Sequence, residues 1–168
     1  FTGDLGYELW IAPHKAEALW DALFSAGEPY MIKPIGSIAL DLTRIETGFL
    51  QAGVDFVPAQ DAVRLGRSRS PFELGLGWLV DMNKPVFNGK QALTRELREG
   101  SRYRFAILDV QGNKPAHNSF IFKGKRKVGT VTSAAWCPTA KSNVAFAQIE
   151  MPYGDSGDDL VAEIYYER

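Results

Sequence analysis

Cysteine and histidine are scarce in this chain: one Cys and two His in 168 residues. A single cysteine excludes an internal disulfide framework and any cysteine-rich zinc site. His14 and His117 lie far apart with no HExxH-type spacing. Zinc needs three or four clustered ligands, so no metal is expected. An excess of either charge is lacking too, with 19 Lys+Arg against 20 Asp+Glu and a formal charge of −1. Without a basic excess the composition gives no electrostatic case for nucleic acid or an anionic membrane. No apolar run approaches the ~18 residues of a membrane span. No charged n-region with an apolar h-region is visible either, so the expected location is the cytoplasm. What is present is ordinary for a folded protein: 45% hydrophobic and 23% charged residues. That balance excludes a disordered chain. A chain of this size buries roughly 70% of its unfolded surface, enough for a core without staples. It opens on Phe1 and runs straight into a motif-like stretch. It is therefore expected to be a piece of a longer protein, with part of any active site upstream.

The patterning predicts helices first and strands later. Tyr7–Ala12 alternates like a strand, after a glycine-rich turn at residues 2–6. Pro13 suits a helix start, and Ala16, Leu19, Trp20 and Leu23 form a helical stripe that ends at Gly27. A second helix is predicted from Ser37 to about Thr47, with Ile38, Leu42 and Ile45 apolar and Gly48 as its stop. Residues 49–86 are mixed, with a short strand expected at Leu76–Val80. A third helix is expected after Asn88 as N-cap with Gln91 three residues on, its buried side supplied by Leu93 and Leu97. After Gly100 the texture changes. Segments 104–110, 119–122, 127–132, 144–150 and 160–166 are rich in Val, Ile, Phe and Tyr and read as strands. Lys123-Gly124-Lys125 reads as a hairpin tip. The fold class predicted is α+β, divided near residue 100 into 1–99 and a small β-barrel or sandwich over 100–168.

Few side chains suggest chemistry by themselves. Cys137, beside Pro138 in an expected loop, has no adjacent base and reads as a packing residue rather than a nucleophile. The glycines at 3, 6, 75 and 77 match neither a dinucleotide fingerprint nor a P-loop. Lys123, Lys125, Arg126 and Lys127 read as a solvated hairpin, with an acidic partner as the alternative. Glu8 has two readings. Its carboxylate can accept two hydrogen bonds from a flat heterocycle packed on aromatics, or it can lie on the solvent face of an edge strand. Arg44 is equally open, because Asp41 three residues before it makes an ordinary helical ion pair.

Several motifs occur together and in order. Phe1-Thr2-Gly3-Asp4-Leu5-Gly6-Tyr7-Glu8 resembles the Y-T-G-E-x-G-[YF]-E segment of the aminomethyltransferase family, the T protein of the glycine cleavage system and its folate-dependent relatives. Ala18–Leu23 and Lys33–Gly36 follow, and Asp41–Gly48 is similar to the family's D-x-L-R-L-E-A-G. Glu73–Trp78, Phe87–Leu93, Val128–Ser133 and Pro138-Thr139 are similar to its later motifs, the last two in its C-terminal barrel.

The resemblance implies the remainder of a folate-binding domain followed by that barrel, with tetrahydrofolate as cofactor. It implies transfer of a one-carbon unit from an aminomethyl-lipoyl carrier to tetrahydrofolate, with the lipoyl carrier (H protein) as partner. The family's pterin-binding Glu matches Glu8 and its folate-site Arg matches Arg44. Phe1 stands where the family often has Tyr, and Trp78 is a weaker candidate for the pocket wall. The family's catalytic Asp lies upstream of residue 1, so no catalytic residue is expected within the chain and the chain alone is expected to be inactive. Ala134-Ala135-Trp136-Cys137 departs from the family's small-residue run and leaves the donor substrate open. The alternatives are a folate-binding tail of a sarcosine- or dimethylglycine-oxidising flavoenzyme, or a folate-dependent demethylase. Further alternatives are a non-enzymatic folate-binding protein of iron–sulfur maintenance and a plain interaction module.

Overall fold

A computed structural model describes residues 5–64, 66–112, 114–155 and 157–164. Phe1 and the last residues of the predicted 160–166 strand lie outside the described residues. Helices occupy the first part of the chain and strands the second, an α+β arrangement. Pro13 opens a short 3-10 turn, Pro13–Lys15, that leads into α1, Ala16–Gly27. Helix α2 is Ser37–Glu46 and α3 is Lys90–Glu99. Both are followed by a glycine at positive φ, Gly48 at 81° and Gly100 at 87°, where a side chain would be strained.

Three local expectations are corrected. Tyr7–Ala12 is exposed and joins no ladder among the described residues, so alternation alone did not make it a strand. Leu76–Val80 is not a strand either; Gly77–Leu79 forms a 3-10 turn. Gly75 there has a φ of 72° and Gly77 lies under Phe72, and both features bend the backbone away from extension. Helix α3 is capped by Gly89 rather than Asn88, with no side-chain cap hydrogen bond. Its Leu97 is exposed and Leu93 only half-buried, so the expected buried side is largely open. Helix α1 also buries none of its residues; Trp20 rests on Phe24 with ring centroids 4.5 Å apart.

The strands are β1 (Tyr103–Val110), β2 (Phe120–Lys123), β3 (Arg126–Cys137), β4 (Ser142–Glu150) and β5 (Val161–Glu163). They form one antiparallel sheet in the order β1-β4-β3-β2-β5. The β2–β3 hairpin turns at Gly124-Lys125, where Gly124 has a φ of 59°. One face of the sheet carries the larger core, with Ile121, Val128, Val131, Ala145, Ala147 and Ile149 fully buried. Residues from β1 and β5, the two ends of the strand order, pack on that same core, so the sheet curls around it. The opposite face carries Phe105, Ala135, Cys137, Val144 and Phe146, covered by Leu42 and Ile45 of α2 and by Leu50. Only the last turn of α2 reaches the sheet. Ile38, at its other end, is exposed although it belongs to the same predicted stripe. Cys137 is the buried last residue of β3, not a loop residue.

Candidate functional site

The main polar site of the described residues forms where α2 meets the sheet. It depends on an irregularity in β3. The register with β4 shifts between Val131 and Ser133, a β-bulge that places an extra residue opposite its partner. Strict alternation sends neighbouring side chains to opposite faces, whereas the bulge lets Thr132 and Ser133 both turn toward the outer layer. Both hydroxyls donate to Asp55 Oδ1 at 2.7 Å.

Asp55 is presented by a tight turn. Gly53, at a φ of 81°, receives the Phe56 carbonyl at its N–H (2.9 Å), and the Asp55 N–H donates to the Gln51 carbonyl at 2.9 Å. The Gln51 N–H returns a bond to Asp55 Oδ2 at 2.8 Å. The same oxygen accepts from Arg44 Nη1 at 2.6 Å. Arg44 is only 2% exposed, and its remaining contacts are internal. Nε donates to Asp41 at 2.7 Å, Nη2 to Ser133 Oγ at 2.8 Å, and Nη1 also reaches the Phe49 carbonyl at 3.4 Å. The guanidinium lies 5.5 Å from the Phe146 ring centroid. A charge removed from water this completely must be paired and hydrogen-bonded, and here it is. The helical Asp41–Arg44 pair read from the sequence is present, but one partner is buried rather than on a surface.

A second tie joins the same layers. Glu46 accepts from the Thr139 N–H at 3.0 Å and from its hydroxyl at 3.2 Å. Burial, together with the nearby Glu46 carboxylate, pushes the Cys137 thiol above its ordinary pKa. A protonated, buried thiol is a packing group rather than a nucleophile.

The other predicted site residues lie elsewhere. Glu8 is exposed, and its carboxylate has no hydrogen-bond partner among the described residues. Trp78 is 79% exposed. No hydrogen bond or ring contact among the described residues joins Glu8, Arg44 and Trp78 to one another. Phe1 falls outside the described residues. The basic hairpin is partly neutralised, with Lys123 3.2 Å from Asp158 and Arg126 3.4 Å from Glu150. Lys127 lies 3.4 Å from the Phe120 ring centroid. Among the described residues no three His, Cys, Asp or Glu gather as metal ligands, and no helix is long and apolar enough to cross a membrane.

Sequence reasoning missed Asp55, Thr132 and Ser133. Asp55 is 11 residues beyond Arg44 and the two hydroxyls are about 80 residues further on. The one local signal was Gly53 two residues before an aspartate, which is turn chemistry rather than ion pairing.

Comparison with known proteins agrees with this architecture. Residues 1–84 match the GCVT N-terminal domain, and residues 104–168 match the glycine cleavage T-protein C-terminal barrel domain. The chain is 35% identical over 160 residues to a trimethylamine-oxide aldolase of Ruegeria pomeroyi, covering 94% of this chain and 19% of that protein. It is 32% identical over 161 residues to an aminomethyltransferase of Desulforamulus reducens, covering 95% of this chain and 42% of that protein. The crystal structure of the glycine cleavage system aminomethyltransferase T from Bartonella henselae superposes with a TM-score of 0.75 at 23% identity. That match covers 90% of this chain and 40% of the other, and it establishes a shared fold. The chain thus spans less than half the length of each of these relatives. With both matched regions in order along the sequence, the chain belongs to the glycine cleavage T-protein family.

Proposed function

We propose that this chain is the folate-handling part of a tetrahydrofolate-dependent one-carbon transferase that accepts its carbon from an aminomethyl-lipoyl carrier. The observation that carries the proposal is the paired family match, with aminomethyltransferase similarity along 95% of the chain. The whole protein would act in the cytoplasm, with the lipoyl carrier protein as partner. The catalytic Asp of the family would come from outside residues 1–168, so the chain by itself would be inactive. We divide the chain near residue 100, where Gly100 ends α3 and the strands begin.

The residues present fit a pterin in part. Glu8 offers a carboxylate without an internal partner, able to accept the adjacent N3–H and 2-amino protons of a pterin edge. Leaving either buried donor unpaired costs ~1–3 kcal/mol, and that cost selects pterins over rings lacking the pair. The exposed indole of Trp78 suits a wall for the flat ring. Arg44 plays a different part in this reading. Its donors are engaged by Asp41, Asp55, Ser133 and the Phe49 carbonyl, and direct contact with folate requires it to exchange one of them. We therefore assign Arg44 to hold α2 and the 49–57 turn against the sheet. Bound folate supplies the acceptor nitrogens for the one-carbon unit. The protein supplies orientation, which by itself lowers a bimolecular barrier by several kcal/mol.

The similarity to a trimethylamine-oxide aldolase favours a second reading, a folate-handling tail on a larger demethylating enzyme. One experiment separates the two. The full-length protein is incubated with tetrahydrofolate and either aminomethyl-lipoyl carrier or trimethylamine N-oxide, and methylenetetrahydrofolate is measured. Formation with the carrier alone supports the first reading, and formation with the N-oxide alone supports the second. Formation with neither, or activity of residues 1–168 equal to that of the full-length protein, contradicts the proposal.

A further inference from the structure

A cleft of about 500 Å³ opens on the outer face of the sheet, beside the Asp55 turn but separate from Glu8 and Trp78. Its floor is Gln148 of β4, which is only 8% exposed. The orientation of this amide is fixed by chemistry. Oε1 accepts from Arg69 Nε at 3.2 Å, and the opposite orientation would set two donors against each other. Nε2 is then a buried donor with no partner among the described residues. Buried amide donors are almost always satisfied, and an orphan in a native structure requires an explanation. Here the explanation is the cleft that Gln148 lines.

The surroundings define what would satisfy it. Arg67, Arg69 and Lys127 line the same cleft. Arg69 lies flat on Tyr103, 4.0 Å from the ring centroid, and its Nη1 is tied to the carbonyls of Gly66, Arg67 and Ser68. It is therefore held in place before any ligand arrives. The acidic side chains on the rim have partners of their own: Asp55 receives Arg44, Thr132, Ser133 and the Gln51 N–H, and Glu150 receives Arg126. Three cations against two carboxylates (3 − 2 = +1) leave the lining with one net positive charge. An orphan N–H beside a fixed guanidinium, in a cleft of charge +1, matches an acceptor carrying one negative charge. We propose that this cleft binds a carboxylate, taken up between Gln148 Nε2 and the guanidinium of Arg69, with Arg67 and Lys127 at its rim. The site is independent of the folate reading, because none of its residues belongs to that assignment.

The test is calorimetric and spectroscopic titration of the protein with acetate, γ-linked triglutamate and inorganic phosphate at constant ionic strength. The side-chain amide resonances of Gln148 serve as the local reporter. The expected result is saturable binding of acetate or triglutamate that shifts those resonances. Affinity falls about tenfold or more in Gln148→Leu and in Arg69→Gln, as loss of a charge-assisted hydrogen bond requires. Lys125→Gln, at the hairpin tip and outside the cleft, binds like the parent. Gln148→Glu keeps the shape of the floor, adds a like charge and abolishes binding, so a packing defect in Gln148→Leu does not decide the outcome. Binding of phosphate without either carboxylate, equal affinity in the parent and Gln148→Glu, or no saturable binding of any probe would each overturn the proposal.

Discussion

Removing the Asp55 carboxylate tests the energetics of the junction between α2 and the sheet. Asp55 accepts from Arg44, Thr132, Ser133 and the Gln51 N–H, and its side chain is fully buried. Asp55→Ala leaves the Arg44 guanidinium buried, with Asp41 as its one remaining carboxylate, and that carboxylate is about half exposed. Breaking a buried pair from one side costs ~3–5 kcal/mol. Because Asp41 still compensates part of the charge, the lower end, about 3 kcal/mol, is expected here. For a chain of this size each kcal/mol lowers Tm by roughly 2–4 °C, so a fall of about 6–12 °C follows. Urea denaturation monitored by circular dichroism gives the free energy, and a cycle with Arg44→Met isolates the pair. The double variant should be less destabilised than the sum of the singles by at least ~1 kcal/mol, since removing both charges removes the uncompensated one. Additivity within ~0.5 kcal/mol, or a cost below ~1 kcal/mol for Asp55→Ala, would refute the argument that this buried pair governs the junction.

Three further outcomes follow from the same geometry. In Gly129→Ala the new Cβ lies 2.7 Å from the Gln148 carbonyl across the β3–β4 ladder, so a loss of ~1–3 kcal/mol is expected in the same denaturation assay. Cys137, buried with its thiol pKa raised by desolvation and by Glu46, should resist an aromatic disulfide reagent at neutral pH until the protein unfolds. The unfolded chain also loses that proton first, so the thiol's contribution to stability is lost as pH rises through the ordinary thiol range; a Cys137→Ala control should lack this dependence. The carboxyl of Asp158 is held below the usual Asp range by the Gly154 N–H and by Lys123. Its contribution is therefore present above the ordinary carboxylate pKa and lost as pH falls through its lowered value, and nuclear magnetic resonance titration of that carboxyl against Asp158→Asn checks the sign.

How much of this was legible in the sequence depends on the range of the interaction. Helices α1 and α2 were readable because Pro13, Gly27 and Gly48 punctuate an apolar period of 3.6. The strands after Gly100 were readable because β-branched and aromatic runs alternate with turn residues. The Tyr7–Ala12 strand failed because a strand needs a neighbour, and alternation says nothing about whether one is present. The capping box at Asn88 gave way to Gly89, whose φ of 92° places the helix start one residue later. At the site, Arg44 was visible as a candidate and Asp41 as its helical partner. Asp55, Thr132 and Ser133 were not visible, because a turn and a β-bulge far along the chain bring them to Arg44. The Gln148 cleft was equally hidden, since an orphan donor is a property of packing and leaves no trace in spacing.

The folate assignment rests most directly on Glu8. Calorimetric titration of tetrahydrofolate into the full-length protein, compared between the parent and Glu8→Gln, measures its contribution. Exchange of the carboxylate for an amide weakens one charge-assisted bond and sets a donor against a donor, so affinity should fall about tenfold or more while the Tm stays unchanged, as befits an exposed side chain. Equal affinity in the two proteins would contradict the account.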